Sequence, residues 1–156
     1  MTGSWAPFGR TNQPEPPDDP APAEPPAPAP EAPTAAFLPR EPARRLAVLT
    51  CMDSRVDPLP DLGLARGDAM ILRNAGAQVS DDVERSLRLA QQDLGVSEVW
   101  LLAHSDCAAQ GGSDAAALAE LRRGAARLRG VLPAITVREL FLDFATGVAA
   151  PVEPRG

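Results

Sequence analysis

The chain has 156 residues, a formal net charge of −6 and 18 prolines, and its 15 basic residues are all arginine. Those arginines are scattered, with no basic stripe interleaved with aromatics, which argues against a nucleic-acid partner. No segment approaches the roughly 20 apolar residues of a membrane span. The N-terminus carries neither the charged nor the apolar region of a secretory signal, so the expected location is cytoplasmic, with no membrane partner.

Thirteen of the 18 prolines precede residue 43, interleaved with Ala and Glu from Pro14 to Pro20 and from Ala21 to Pro30. Proline removes backbone donors, and this stretch has almost no large apolar residues to offset the entropy of ordering. Residues 1–42 are therefore read as a disordered, partly polyproline-like tail. Residues 43–156 are read as one domain with one modest core.

From Arg44 onward the pattern alternates strand and helix. Leu46–Thr50, Ala69–Arg73 and Glu98–Ala103 are short, nearly continuous apolar runs, the signature of parallel strands covered on both faces. Between the second and third, Ser80–Gly95 places Val83, Leu87, Ala90 and Leu94 on one helical face. Asp81 and Glu84 make an acidic start and Gly95 a stop. A strand–helix–strand unit of this length implies a right-handed parallel crossover. Ser113–Gly130 is predicted as a further helix, weakened by Gly124. Leu140, Leu142 and Phe144 alternate with Phe141 and Asp143 in a final strand that turns at Thr146–Gly147. The fold class is α/β, with a mainly parallel central sheet flanked by helices.

The only two cysteines and the only histidine fall at the ends of two of these runs. Cys51 closes the first, and His104 and Cys107 close the third. A thiol pair could form a disulfide, but beside a histidine in a reducing compartment it more often binds metal or does chemistry. Two thiolates and an imidazole suit zinc, with a fourth position left for water. Ligands of open parallel sheets bind beyond the C-terminal ends of the strands, so the topology gives these residues a way to meet. Taken singly, each would be a buried apolar cysteine or a satisfied histidine. Asp53 and Arg55 beside Cys51 favour a site: the guanidinium fork can hold the carboxylate bidentately and ionised. Asp53 then either accepts a hydrogen bond from zinc-bound hydroxide or fills the fourth position itself. Asp106, between two candidate ligands, is read as a cap for the following helix. Arg122, Arg123, Arg127 and Arg129 are read as a solvated helix face.

With these residues in view, the chain resembles the β-class carbonic anhydrases. The resemblance rests on Cys51-Met-Asp-Ser-Arg55, Arg73-Asn-Ala-Gly76 and His104-Ser-Asp-Cys107, where the family usually has His-Thr-Asp-Cys. It covers roughly residues 43–156 and continues at Phe144-Ala-Thr-Gly147, which looks like the family's closing strand and turn. It implies a zinc enzyme interconverting carbon dioxide and bicarbonate. Cys51, His104 and Cys107 would hold Zn2+, Asp53 and Arg55 would form the orienting dyad, and Asn74, Ala75 and Gly76 would line the pocket. It also implies a homodimer or larger homo-oligomer, with part of each pocket supplied by the neighbour.

Three departures from the family stand out. Ala108 follows the last cysteine where the family has Gly, which costs about 1 kcal/mol if a positive φ is needed there. Only 29 residues separate Cys107 from Val137, fewer helical turns than the family carries, with Gly111-Gly112 marking the join. The proline-rich tail stands in place of the family's N-terminal helices. Two other functions remain open: hydrolysis of carbonyl sulfide or carbon disulfide at the same site, and a catalytically degenerate, zinc-stabilised binding module.

Overall fold

The computed structural model describes residues 38–153. The reading of a disordered tail over residues 1–42 lies outside the described residues up to residue 37. The last few residues of that stretch border the body of the domain: Pro42 is buried, and the Leu38 side chain lies over Gly67.

The domain runs β1 (Leu46–Cys51), α1 (Pro58–Asp61), β2 (Ala69–Asn74), α2 (Asp81–Asp93) and β3 (Glu98–His104). It continues with α3 (Asp114–Val131), β4 (Thr136–Asp143) and β5 (Val148–Pro151). The strands form one sheet in the order β2-β1-β3-β4-β5. All neighbours are parallel except β4 and β5, which form an antiparallel hairpin. The predicted α/β architecture is present.

Residues alternate across the central strands, so each strand supplies both faces of the sheet. Ala47 and Leu49 of β1 pack with Val99 and Leu101 of β3 against Val83 and Leu87 of α2 and Leu121, Ala125 and Leu128 of α3. Leu46 and Val48 point the other way, with Leu102, Leu140 and Leu142, against Val56 and Leu64 around α1. All six residues of β1 are buried. Burying one such Leu or Val contributes about 1.5–3 kcal/mol.

Both long helices begin at serine caps. The Val83 N–H donates to Ser80 Oγ at 3.4 Å and the Ala116 N–H to Ser113 Oγ at 3.2 Å. Gly124 has a packing reason to interrupt α3: a Cβ there would stand 2.9 Å from Cγ2 of Val79. Among the described residues, no helix is long and apolar enough to cross a membrane.

Three features differ from the sequence reading. β2 is an edge strand with alternating half-buried and exposed residues, including Ile71, rather than one covered on both faces. A short apolar run does not distinguish an edge from a centre. β4 begins at Thr136, where pairing with Glu98 of β3 starts, well before the alternating run at Leu140. After the turn at Gly147, Val148–Pro151 adds β5, too short to show any periodicity.

The registers place the site. Thr50 lies opposite Leu102, and Cys51 opposite Asn74, so Cys51, His104 and the Asn74–Gly76 loop leave the sheet at the same edge.

Candidate metal centre

Cys51, His104 and Cys107 are all buried, and one ligand atom from each lies within 4.8 Å of the others. The two Sγ atoms are 3.9 Å apart and both thiols are free. His104 Nδ1 is 2.8 Å from the Ser105 carbonyl oxygen, which can only accept, so Nδ1 carries the proton and donates. That tautomer leaves a lone pair on Nε2, and Nε2 is buried without a hydrogen-bond partner in the protein. A buried, orphaned acceptor beside two thiols is costly unless something fills it. Two soft sulfurs and an imidazole nitrogen are a donor set that fits zinc. Fixing the imidazole through its other nitrogen is how metal-binding histidines are oriented.

Burial pushes both thiols up. Cys51 is nevertheless held below its ordinary value by its neighbours, the backbone N–H groups of Asp53 and Gly76 among them. At Cys107, burial and the neighbouring Cys51 leave it raised. A bound cation would favour the thiolate form of both.

The loop after β2 completes the pocket floor. The Gly76 N–H donates to Cys51 Sγ at 3.3 Å. Gly76 has φ +74°, and the space behind it is taken by Gln110 and Ala109. Ala75 lines the cleft. Asn74, expected at the pocket, bonds Gln78 with its side chain: its Nδ2 donates to the Gln78 carbonyl and its Oδ1 accepts from the Gln78 N–H, both at 2.7 Å. These two bonds brace the turn.

Asp53 and Arg55 meet as the sequence reading expects. Arg55 Nε donates to Asp53 Oδ1 at 3.0 Å and Nη2 to Oδ2 at 2.8 Å, while the Arg55 backbone N–H donates to Oδ1 at 2.9 Å. These bonds hold the Asp53 carboxyl well below the usual carboxylate range. Asp53 opens onto a cleft of about 530 Å3, lined also by Cys51, Met52, Ser54, Ala75, Ala108 and Ala109. A larger groove, about 830 Å3 over Trp100, Leu140 and Val152, contains none of these site residues.

Other residues join the site that the sequence reading assigned elsewhere or passed over. Asp106 is not the cap of α3, a position that Ser113 holds. Its Oδ2 accepts from Arg55 Nη1 at 2.9 Å and its carbonyl from Nη2 at 3.1 Å. Arg73 gathers three carbonyls of the loop after β1: Nε donates to Cys51 O, and Nη2 to Asp53 O and Val56 O. Phe144 lies beneath Arg55. All three lie within motifs that carry the family resemblance, but none of those motifs states the contacts they make here. Ala108 needs no glycine, because the non-glycine residues with positive φ among those described are Arg45, Ala77 and Asp106. Three arginines of α3 are exposed but engaged: Arg123 pairs with Glu120, Arg127 with Asp81 and Glu84, and Arg129 with Glu139.

A family model for carbonic anhydrase matches residues 46–137. β-Carbonic anhydrase 1 of Mycobacterium tuberculosis is 47% identical over 70 residues, which cover 45% of this chain and 43% of that protein. A carbon disulfide hydrolase of Acidianus is 48% identical over 64 residues, 41% of this chain and 31% of that one. The chain thus spans less than half the length of these relatives. Among solved structures, a carbonic anhydrase from Streptococcus mutans superposes with a TM-score of 0.69 at 38% identity, covering 76% of this chain and 87% of that one. The chain therefore belongs to the carbonic anhydrase family, in its β class.

Proposed function

We propose that this chain catalyses the reversible hydration of carbon dioxide to bicarbonate and a proton, with Cys51, His104 and Cys107 holding zinc. The observation that carries this reading is the buried, unpartnered Nε2 of His104 converging with two sulfurs beside an ionised Asp53. When bound, zinc supplies Lewis acidity that brings the pKa of water from about 15.7 towards neutrality.

The protein's own residues do the rest. Both Asp53 oxygens are held by Arg55, so the carboxylate is fixed in place with lone pairs to spare. A carboxylate held so far below its usual range is a poor base and a good acceptor. Asp53 thus orients an attacking water by accepting its hydrogen bond, rather than keeping its proton. Met52, Ala75, Ala108 and Ala109 give the cleft an apolar wall, suited to an uncharged linear substrate. With His104 the only histidine in the chain, the product proton leaves through water or buffer. The free thiols fit a reducing compartment such as the cytoplasm. The half-exposed edge strand β2 supports assembly as a homodimer or larger homo-oligomer.

Stopped-flow hydration of carbon dioxide by zinc-loaded protein tests the reading, with Asp53→Ala and Cys107→Ser as controls. Expected is turnover in wild type, a loss of at least tenfold in Asp53→Ala, and loss of metal in Cys107→Ser. Wild type that holds zinc yet turns over no faster than these variants defeats the enzyme reading and leaves a zinc-stabilised binding module. The similarity to the Acidianus carbon disulfide hydrolase supports a second reading, hydrolysis of carbon disulfide or carbonyl sulfide at the same site. Parallel assays of the three substrates on one zinc-loaded preparation separate the two.

A further inference from the structure

Phe144, just past β4, takes no part in the reaction as described above. Its ring centroid is 5.0 Å from that of His104, with the planes at 39°. The guanidinium carbon of Arg55 stands 4.4 Å from the same ring centroid. The Phe144 N–H donates to Ser105 Oγ at 2.9 Å, and the Ser105 N–H donates to Leu142 O at 3.0 Å. The segment following His104 thereby anchors the ring. One side chain touches both a candidate metal ligand and the guanidinium that holds Asp53.

We propose that Phe144 is a positioning residue that sets the placement of Arg55, and through it Asp53, relative to the His104 imidazole. The proposal rests on the catalytic reading above for its kinetic consequence, and on packing alone for its structural one.

The outer ion pair, to Asp106, holds Arg55 weakly. Its side chain is 49% exposed and the Asp106 partner 72% exposed, so water and salt compete for both charges. A guanidinium lying over an aromatic face gains attraction from the ring quadrupole and loses the freedom to swing out of the pocket. Asp53 follows, because both its oxygens bond Arg55. On the other side, the buried His104 imidazole is tethered at Nδ1 by a single hydrogen bond, which does not by itself set the tilt of the ring. The Phe144 ring packs against it and limits the tilt. An aliphatic residue would fill the volume but offer no quadrupole; tyrosine would offer both.

The experiment follows the Arg55 Nε–H resonance in 15N-labelled protein, metal-free and zinc-loaded, identified by its disappearance in Arg55→Lys. In wild type it should carry a ring-current displacement and exchange slowly with water. In Phe144→Leu the displacement should vanish and exchange should quicken at least threefold; Phe144→Tyr should restore both. Phe144→Met serves the same comparison if the leucine variant does not fold. In turnover, Phe144→Leu should lower kcat about two- to fivefold, with KM and zinc content unchanged, and Phe144→Tyr should recover it. An Arg55 signal indifferent to Phe144→Leu, or one that tyrosine fails to restore, overturns the proposal. A wild type with no turnover defeats the catalytic reading instead, and the Arg55 resonance then decides the role of Phe144 alone.

Discussion

Gly76 and Gln110 meet so closely that a Cβ on Gly76 would stand 2.8 Å from Gln110 Nε2, and 3.1 Å from Ala109 Cβ. The same glycine adopts φ +74° while its N–H points at Cys51 Sγ. Gly76→Ala is therefore penalised chiefly by the left-handed backbone, for about 1–2 kcal/mol, with a smaller steric share because the end of the Gln110 side chain can swing aside. Urea unfolding of metal-free protein should show that loss. Adding Gln110→Ala should recover only the steric share. A Gly76→Ala protein as stable as wild type contradicts this packing.

Asp53 predicts a defined pH dependence of stability. Its folded-state pKa is depressed, chiefly by the hydrogen bonds from Arg55, below an unfolded value of about 3.9. A depressed carboxyl stabilises fully above its unfolded pKa, and that contribution fades as pH falls through the folded value. The stability difference between wild type and Asp53→Asn should therefore be constant from pH 8 to about 5 and shrink below about 4. Urea midpoints of the two metal-free proteins across that range check it. A difference that grows on acidification would give the shift the wrong sign.

The ligand trio was legible because a parallel sheet delivers the ends of its strands to one edge, and Cys51 and His104 close two apolar runs. Asp53 and Arg55 were legible because they lie two and four residues from Cys51. The rest of the site depends on contacts that no local pattern encodes. Asp106 reaches an arginine 51 positions away, and its left-handed backbone places it there rather than over α3. Phe144 reads as one more apolar residue in an alternating run, and the closing-strand motif it opens says nothing of what its ring touches. Its place beside His104 follows from the β3–β4 register, in which His104 faces Leu142. β2 reads as buried because its residues are apolar, yet being outermost in the sheet is a property of topology.

If the trio holds zinc, metal should be linked to folding. A ligand present at a thousand times its Kd stabilises the state it binds by about 4 kcal/mol, less whatever the unfolded thiols retain. Zinc should raise the melting temperature of wild type by several degrees and a chelator should reverse it. In His104→Ala the rise should be small, since the two sulfurs alone make a poorer site. Equal shifts in wild type and His104→Ala would mean that the metal binds elsewhere.

Arg73 ties the edge strand to the loop that carries Asp53. Its Nε donates to the Cys51 carbonyl at 3.1 Å, and its Nη2 to the carbonyls of Asp53 at 2.8 Å and Val56 at 2.9 Å. A planar fork reaches acceptors from two separate nitrogens, whereas an ammonium must serve all three from one. Removing it leaves carbonyls that water can reach only in part, for a loss of about 1–3 kcal/mol in Arg73→Met. Arg73→Lys should recover less than half. The effect should also be local: backbone amides of residues 52–57 should exchange faster in both variants, while those of β3 stay protected. Loop amides that exchange as in wild type would show that the loop holds its shape without Arg73.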